Sequence, residues 1–212
     1  ARELRREVSR RAAIIPQDPL TALNPCRRIG GQITDRLLHI LGWPRAKAET
    51  RARDLLAEVA IRDPDRTLRA YPHELSGGMR QRVLIAAAFA AEPELVIADE
   101  PTTALDVTVQ RQILRLIHQM QARHGTALLF VTHDMGVVAQ LCQTVSVLYA
   151  GKVVSQGPAR DLFAGEAHPY ARALIAATPR YDRPEGALTP VPDTVLDALR
   201  GEIAADDARA RA

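Results

Sequence analysis

Leu95-Val96-Ile97-Ala98-Asp99-Glu100-Pro101 is the stretch whose reading decides the fold. An apolar run passes without interruption into adjacent carboxylates and a proline, the pattern of a strand covered on both faces until it reaches a sheet edge. Ligands of open α/β sheets bind at that edge, so the charges there are expected to face a ligand and not a core. Upstream, Leu75-Ser76-Gly77-Gly78-Met79 opens an apolar helix. Ser76 is an N-cap by type, and the helix is expected from about Gly77 to Ala91, with Val83, Leu84, Ala87, Ala88 and Ala91 buried on one side and Pro93 as its stop. A hydroxyl and unhindered backbone N–H groups at a helix start suit an anion, because the positive end of the helix dipole lies there.

Working outward, a helix is expected from about Val107 to Arg123, with Val109, Ile113, Leu116, Ile117 and Met120 inward and Gly125 ending it. Strand Ala127 to Val131 follows. Strand, helix and strand in this order, both strands continuously apolar, argue for a parallel sheet with right-handed crossovers. Before it, Ala12 to Ile15 reads as a short buried strand ended by Pro16, and a polar loop runs from Gln17 through Asn24-Pro25. From Gly30 to about Ile61 the period is helical, with Ile33, Leu37, Leu38 and Leu41 on one stripe and Leu55, Leu56 and Val59 on another, broken by Gly42-Trp43-Pro44. Val145 to Tyr149 and Lys152 to Val154 form a strand pair joined at Ala150-Gly151. Short helices are expected at Arg160 to Phe163 and Pro169 to Ala177, no packed core over Tyr181 to Pro192, and a mobile helix or tail at the end of the chain.

The 212 residues suffice for one α/β core with a small appended subdomain. A formal charge of +3 permits a nucleic-acid partner without requiring one. Arg2, Arg5, Arg6, Arg10 and Arg11 crowd the start and read as a solvated segment. Cys26 and Cys142 are far apart and at no metal-ligand spacing, which gives neither a disulfide framework nor a zinc site and suits a reducing cytosol. No apolar run approaches the roughly 20 residues needed to span a bilayer, so a membrane role is expected through a partner.

Metal-assisted phosphoryl transfer to water needs a carboxylate for the metal shell and a group that positions the attacking water. Asp99 and Glu100 meet both needs, since neighbouring residues at a strand end diverge. His133, in Val131-Thr132-His133-Asp134, follows the next strand and places an imidazole at the same edge. Gln17, also after a strand, can reach metal or water.

With these residues in hand, the chain resembles the nucleotide-binding subunits of ATP-binding-cassette (ABC) transporters, over roughly residues 10 to 180 and most closely those of dipeptide and oligopeptide importers. In that family's terms Gln17 matches the Q-loop, Leu75 to Met79 the signature motif, Leu95 to Glu100 the Walker B strand, Ala104-Leu105-Asp106 the D-loop and His133 the switch histidine. The importer group in particular is suggested by Gln17-Asp18-Pro19-Leu20-Thr21-Ala22-Leu23-Asn24-Pro25, Tyr71-Pro72-His73-Glu74 and His168-Pro169-Tyr170. The resemblance implies a P-loop NTPase-like α/β fold, a mostly parallel sheet core with a helical subdomain. It implies ATP and Mg2+ as cofactors and ATP hydrolysis coupled to peptide import, with nickel or glutathione as other cargoes in the group. It assigns Glu100, His133 and Gln17 to catalysis, Ser76, Gly77, Gly78, Gln81 and Asp106 to nucleotide binding, and Asp99 with Gln17 to the metal. The implied partners are a second nucleotide-binding subunit, met head to tail, and integral membrane permease subunits, with the chain peripheral on the cytoplasmic face and no nucleic acid bound.

The implied organisation is residues 1–29 as the end of the core up to the Q-loop, 30–74 as the helical subdomain, 75–180 as the signature-to-switch core and 181–212 as a carboxyl-terminal extension. The sequence departs from the family in lacking Gly-x-x-x-x-Gly-Lys-Ser/Thr; its Gly151-Lys152 falls in the expected hairpin. The simplest account is a truncated gene product or partial sequence, which makes activity of the isolated chain doubtful while Ser76, Gly77 and Gly78 still complete a site on a P-loop-bearing partner. No cysteine follows Cys142, so no iron–sulfur centre is expected. The alternatives are a soluble ABC-type ATPase acting on nucleic acid or ribosomes, supported only by the basic start, and a catalytically silent cassette fragment.

Overall fold

A computed structural model describes residues 2–103, 105–178 and 190–211, which fall into two compact units divided between Val131 and Thr132.

In the first unit, α1 (Arg2–Arg11) leads into β1 (Ala12–Ile15). Helices α2 (Pro19–Ala22), α3 (Ile29–His39), α4 (Arg45–Glu58) and α5 (Pro64–Arg69) follow, then a 3-10 turn (Pro72–Glu74) and α6 (Gly77–Phe89). The unit closes with β2 (Leu95–Asp99), α7 (Val107–His124) and β3 (Ala127–Val131). The strands form a parallel sheet in the order β1-β2-β3, with Ile14 opposite Ile97 and Ile97 opposite Leu129. This is the strand–helix–strand arrangement expected from the apolar runs. The basic start, expected as a solvated segment, is helical; its Leu4 and Val8 are exposed, and Glu7 pairs with Arg11 one turn on at 2.7 Å.

One sheet face departs from expectation. Ala13, Ile15, Val96 and Ala98 are buried in the core, where α6 packs against β1, but Ile14, Leu129 and Val131 on the opposite face are 61%, 52% and 45% exposed. Helix α6 departs in the other direction. Besides Val83, Leu84 and Ala88, it buries Ile85, Ala86 and Phe89, with Ala90 and Ala91 buried just beyond its end and Ala87, expected inward, half-buried, because β1, α2, α3, α4 and α7 surround it. A helix apolar on all sides is a core helix and has no solvent face to leave polar. In α7, Ile113, Leu116, Ile117 and Met120 are buried as the period requires, and Gly125 ends the helix in the left-handed region at φ 62°.

In the second unit, α8 (Met135–Leu141) precedes the antiparallel pair β4 (Thr144–Tyr149) and β5 (Lys152–Pro158). Ala150 and Gly151 join the strands with φ of 47° and 79°, the positive pair that a two-residue hairpin turn needs. Helices α9 (Ala159–Ala164), α10 (Pro169–Ala177) and α11 (Asp193–Arg211) complete the unit. Leu199 of α11 is 1% exposed and packs in a cluster with Val147, Leu162, Tyr170 and Ala171. The end of the chain, expected as a mobile helix or tail, is therefore a helix with one buried side. Most of the segment expected to lack a packed core, from Tyr181 onward, lies outside the described residues, as does Ala104.

Candidate functional site

The carboxyl ends of β1 and β2 lie side by side because Ile15 is in register with Ala98. Pro16 turns the chain out of β1, and Gln17 emerges next to the segment that follows Asp99. Its Nε2 donates to Glu100 Oε2 at 3.0 Å. Thr103 Oγ1 donates to the same oxygen at 3.0 Å, and Thr103 N–H donates to Glu100 O at 3.1 Å. The Pro101-Thr102-Thr103 turn thus folds back on the carboxylate that begins it. From the other side, Glu100 N–H donates to Val131 O at 2.9 Å, which ties the residue to the end of β3. Glu100 holds φ 42°, a left-handed conformation unfavourable for a residue with a Cβ. Three neighbouring segments thus fix a strained backbone and direct one carboxylate, the arrangement in which strain accompanies a functional position.

Asp99 is the last residue of β2, exposed and opposite Val131. With Nε2 of Gln17 given to Glu100, the Gln17 amide oxygen has no partner among the described residues. One carboxylate and one neutral oxygen fit a Mg2+ ion, which keeps several waters and takes few protein ligands. No cluster of three or more His, Cys, Asp or Glu side chains suited to a metal exists among the described residues.

Ser76 caps α6, accepting from Met79 N–H at 3.3 Å. A Cβ on Gly78 would meet Val109 Cγ1 of α7 at 3.4 Å, whereas one on Gly77 would meet nothing within 4 Å. Close helix approach accounts for the second glycine but leaves the first without a cause inside the chain. Gln81, expected beside a nucleotide, is 1% exposed, and its Nε2 has no partner among the described residues. The all-round burial of α6 carries this side chain into the core, away from the exposed Ser76. Asp106 caps α7, accepting from Val109 N–H at 2.9 Å. His133 belongs to the second unit, where it is exposed just ahead of Asp134, the N-cap of α8. Thr103 adds to the expected site residues, and its signal in the sequence is a hydroxyl three residues beyond a strand-end carboxylate, in a proline turn.

Residues 2–103, which include Gln17, Ser76 to Gly78, Asp99 and Glu100, match the ABC transporter family. The chain belongs to the ABC transporter family. Over 201 residues it is 51% identical to a probable peptide ABC transporter ATP-binding protein of Sinorhizobium fredii, covering 94% of this chain and 59% of that one. It is 50% identical to a probable D,D-dipeptide transport ATP-binding protein and 45% identical to a dipeptide transport ATP-binding protein, both of Escherichia coli, with 92% of this chain and 59% of each relative covered. The chain therefore spans somewhat over half the length of these relatives. Among solved structures, it matches part of the cbiONQ ABC transporter complex of Clostridium perfringens with a TM-score of 0.65 at 28% identity, covering 76% of this chain and 62% of that one. A dimeric ATP-binding cassette in a post-hydrolysis state, bound to ADP and phosphate, matches with a TM-score of 0.64 at 26% identity, covering 74% and 67%. The ABC transporter fold places the parallel sheet as its α/β core. Among the described residues, no helix is long and apolar enough to cross a membrane.

Proposed function

We propose that this chain is the ATP-binding subunit of an ABC importer that couples ATP hydrolysis to entry of peptides through integral permease subunits. The observation that carries the reading is the Gln17–Glu100 contact at the ends of adjacent parallel strands, beside the exposed carboxylate of Asp99. Glu100 positions and deprotonates the attacking water. Asp99 and the amide oxygen of Gln17 hold Mg2+, which when bound neutralises phosphate charge. Thr103 keeps the Glu100 carboxylate aimed while Gln17 links it to the polar loop. His133 serves the γ-phosphate, and Asp106 contributes to nucleotide binding. Ser76, Gly77 and Gly78 receive the phosphates of a nucleotide held by a second cassette, and an open Gly77 suits so close an approach.

The second cassette makes a homo- or heterodimer, and the helical segment 30–74 offers the surface for the permease at the cytoplasmic face of the membrane. Peptide cargo is supported by the likeness to peptide and dipeptide transport ATP-binding proteins. The decisive measurement is ATP affinity and turnover of the chain alone and with a P-loop-bearing cassette. The chain alone is expected to bind weakly and turn over nothing, and the pair to hydrolyse ATP in a manner lost on Ser76→Arg. A pair that hydrolyses no ATP would overturn the reading; brisk turnover by the isolated chain would overturn its dependence on a P-loop-bearing cassette, and a pair indifferent to Ser76→Arg would overturn the part given to this turn.

A further inference from the structure

The first unit contains a cavity of about 730 Å3 whose apolar lining includes Ile61, Leu75 and Met79. Its charged lining includes Arg62, Arg66, Arg69 and Arg82 against Asp63 and Glu74, so guanidinium groups outnumber carboxylates four to two. Both carboxylates are already engaged. Asp63 Oδ1 caps α5 by accepting Arg66 N–H at 3.0 Å, and Glu74 Oε2 accepts Tyr71 N–H at 2.6 Å. Arg82 is fixed in place, donating to Val59 O at 2.8 Å and to Gln112 Oε1 at 3.1 Å. Arg62, Arg66 and Arg69 have no side-chain hydrogen bond or ion pair among the described residues. Arg66 and Arg69 stand three apart on α5, where like charges oppose helix formation. The other carboxylate of that helix, Asp65, is taken by Arg53 at 2.8 Å. Four guanidinium groups against two carboxylates leave the lining with a net positive charge beside an apolar floor, and the exposed side chains of Arg62, Arg66 and Arg69 are held by no partner among the described residues.

We propose that this cavity binds a small organic dianion, two carboxylate or phosphoryl groups joined by a short apolar stretch, held by Arg62, Arg66 and Arg69 and seated on Ile61, Leu75 and Met79. Guanidinium forks match both acid groups bidentately, and the volume lies within the roughly 300–1,000 Å3 of small-molecule sites. Leu75 and Met79 flank Ser76, so the occupant touches both sides of the turn that begins α6.

The test is calorimetric titration of the whole chain with adipate and, separately, with tetramethylene diphosphonate, with pentanoate as the monoanion control. Saturable binding of at least one dianion is expected, and whichever is preferred identifies the acid group. Arg66→Gln and Arg69→Gln are each expected to weaken it about tenfold, the size of one lost charge-assisted contact. Arg62→Gln, at an exposed position ahead of α5, is an independent variant that leaves the helix intact, and circular dichroism melts report whether each variant folds. Arg115→Gln on α7, outside the cavity, is expected to change nothing. No saturable binding of either dianion, binding equal to that of pentanoate, or an equal loss in Arg115→Gln would each overturn the proposal.

Discussion

Gln17 and Glu100, eighty-three positions apart in the chain, meet at 3.0 Å through Nε2 and Oε2. The contact exists because parallel pairing of β1 with β2 brings both strand ends to one edge, where each chain continues as a turn. An exposed hydrogen bond to a charged carboxylate contributes about 1 kcal/mol net. A double-mutant cycle of Gln17→Ala and Glu100→Ala, read by urea unfolding at Trp43, the single tryptophan, is expected to give a coupling of about 1 kcal/mol. A coupling near zero would mean that the two side chains do not hold one another in solution.

Glu58 sits at the end of α4 with its side chain 10% exposed, accepting from Arg51 at 3.3 Å, contacting His124 Nε2 at 3.1 Å and lying 3.8 Å from Arg123. The His124 ring also lies 5.6 Å from Phe89 of α6, so this one carboxylate links α4 to the helices that cover the sheet. Removing the charge leaves Arg51 largely buried with only the exposed Glu92 as partner. Glu58→Gln is therefore expected to destabilise the first unit by about 3 kcal/mol, as broken buried pairs do. A shift of the Trp43 unfolding midpoint equivalent to less than about 1 kcal/mol would show that water already serves these groups.

Lys152 of β5 bonds Asp206 and Asp207 of α11, clipping the last helix to the hairpin. The hydrogen bond from Lys152, reinforced by its charge, lowers the Asp206 pKa below its ordinary value, and Asp206 followed by Asp207 raises that of Lys152. A depressed carboxylate stabilises the fold above its unfolded pKa and loses that contribution as pH falls through the folded value. A raised amine stabilises below its unfolded pKa and loses the contribution as pH rises through the folded value. The clip is thus expected to hold across neutral pH and to open at both extremes, weakening with salt because it is exposed. Hydrogen exchange of α11 against pH checks this: Lys152→Ala should flatten the dependence, and an unchanged profile would remove the clip from consideration.

Strong local signals made much of the fold legible. The apolar run ending at Asp99, the Ser76 cap, the left-handed stop at Gly125 and the Ala150-Gly151 turn each specify an element through one or two residues, and each element forms there. What escaped depends on neighbours distant in sequence. The burial of Gln81 and of all sides of α6 follows from five elements closing around one helix, which no period of its own sequence announces. The exposed Ile14, Leu129 and Val131 carry the same apolar letters as their buried neighbours. Helix α8 is seven residues long, too short for a period to stand out, and only its cap at Asp134 marks it. At the site, the residue types around Glu100 were readable, but the return of Thr103 onto the carboxylate depends on turn geometry.

Gly77 separates stability from function. It opens α6 with no positive φ, and a Cβ there would touch nothing within 4 Å, so the fold itself does not require glycine. Gly77→Ala should stabilise the chain by up to about 0.5–1 kcal/mol through restricted unfolded-state freedom and better helix propensity. If this turn receives phosphate from a second cassette, the same methyl stands where the anion must approach the backbone N–H groups, and a displacement of that size costs about tenfold or more in turnover. The expected result is a higher urea midpoint at Trp43 together with slower ATP hydrolysis by the chain paired with a P-loop-bearing cassette. Gly78→Ala serves as the contrast, since its methyl meets Val109 at 3.4 Å and is expected to affect the packing of α6 on α7 as well. Unchanged hydrolysis with the stability gain intact would exclude Gly77 from phosphate recognition and leave its presence without a structural reason.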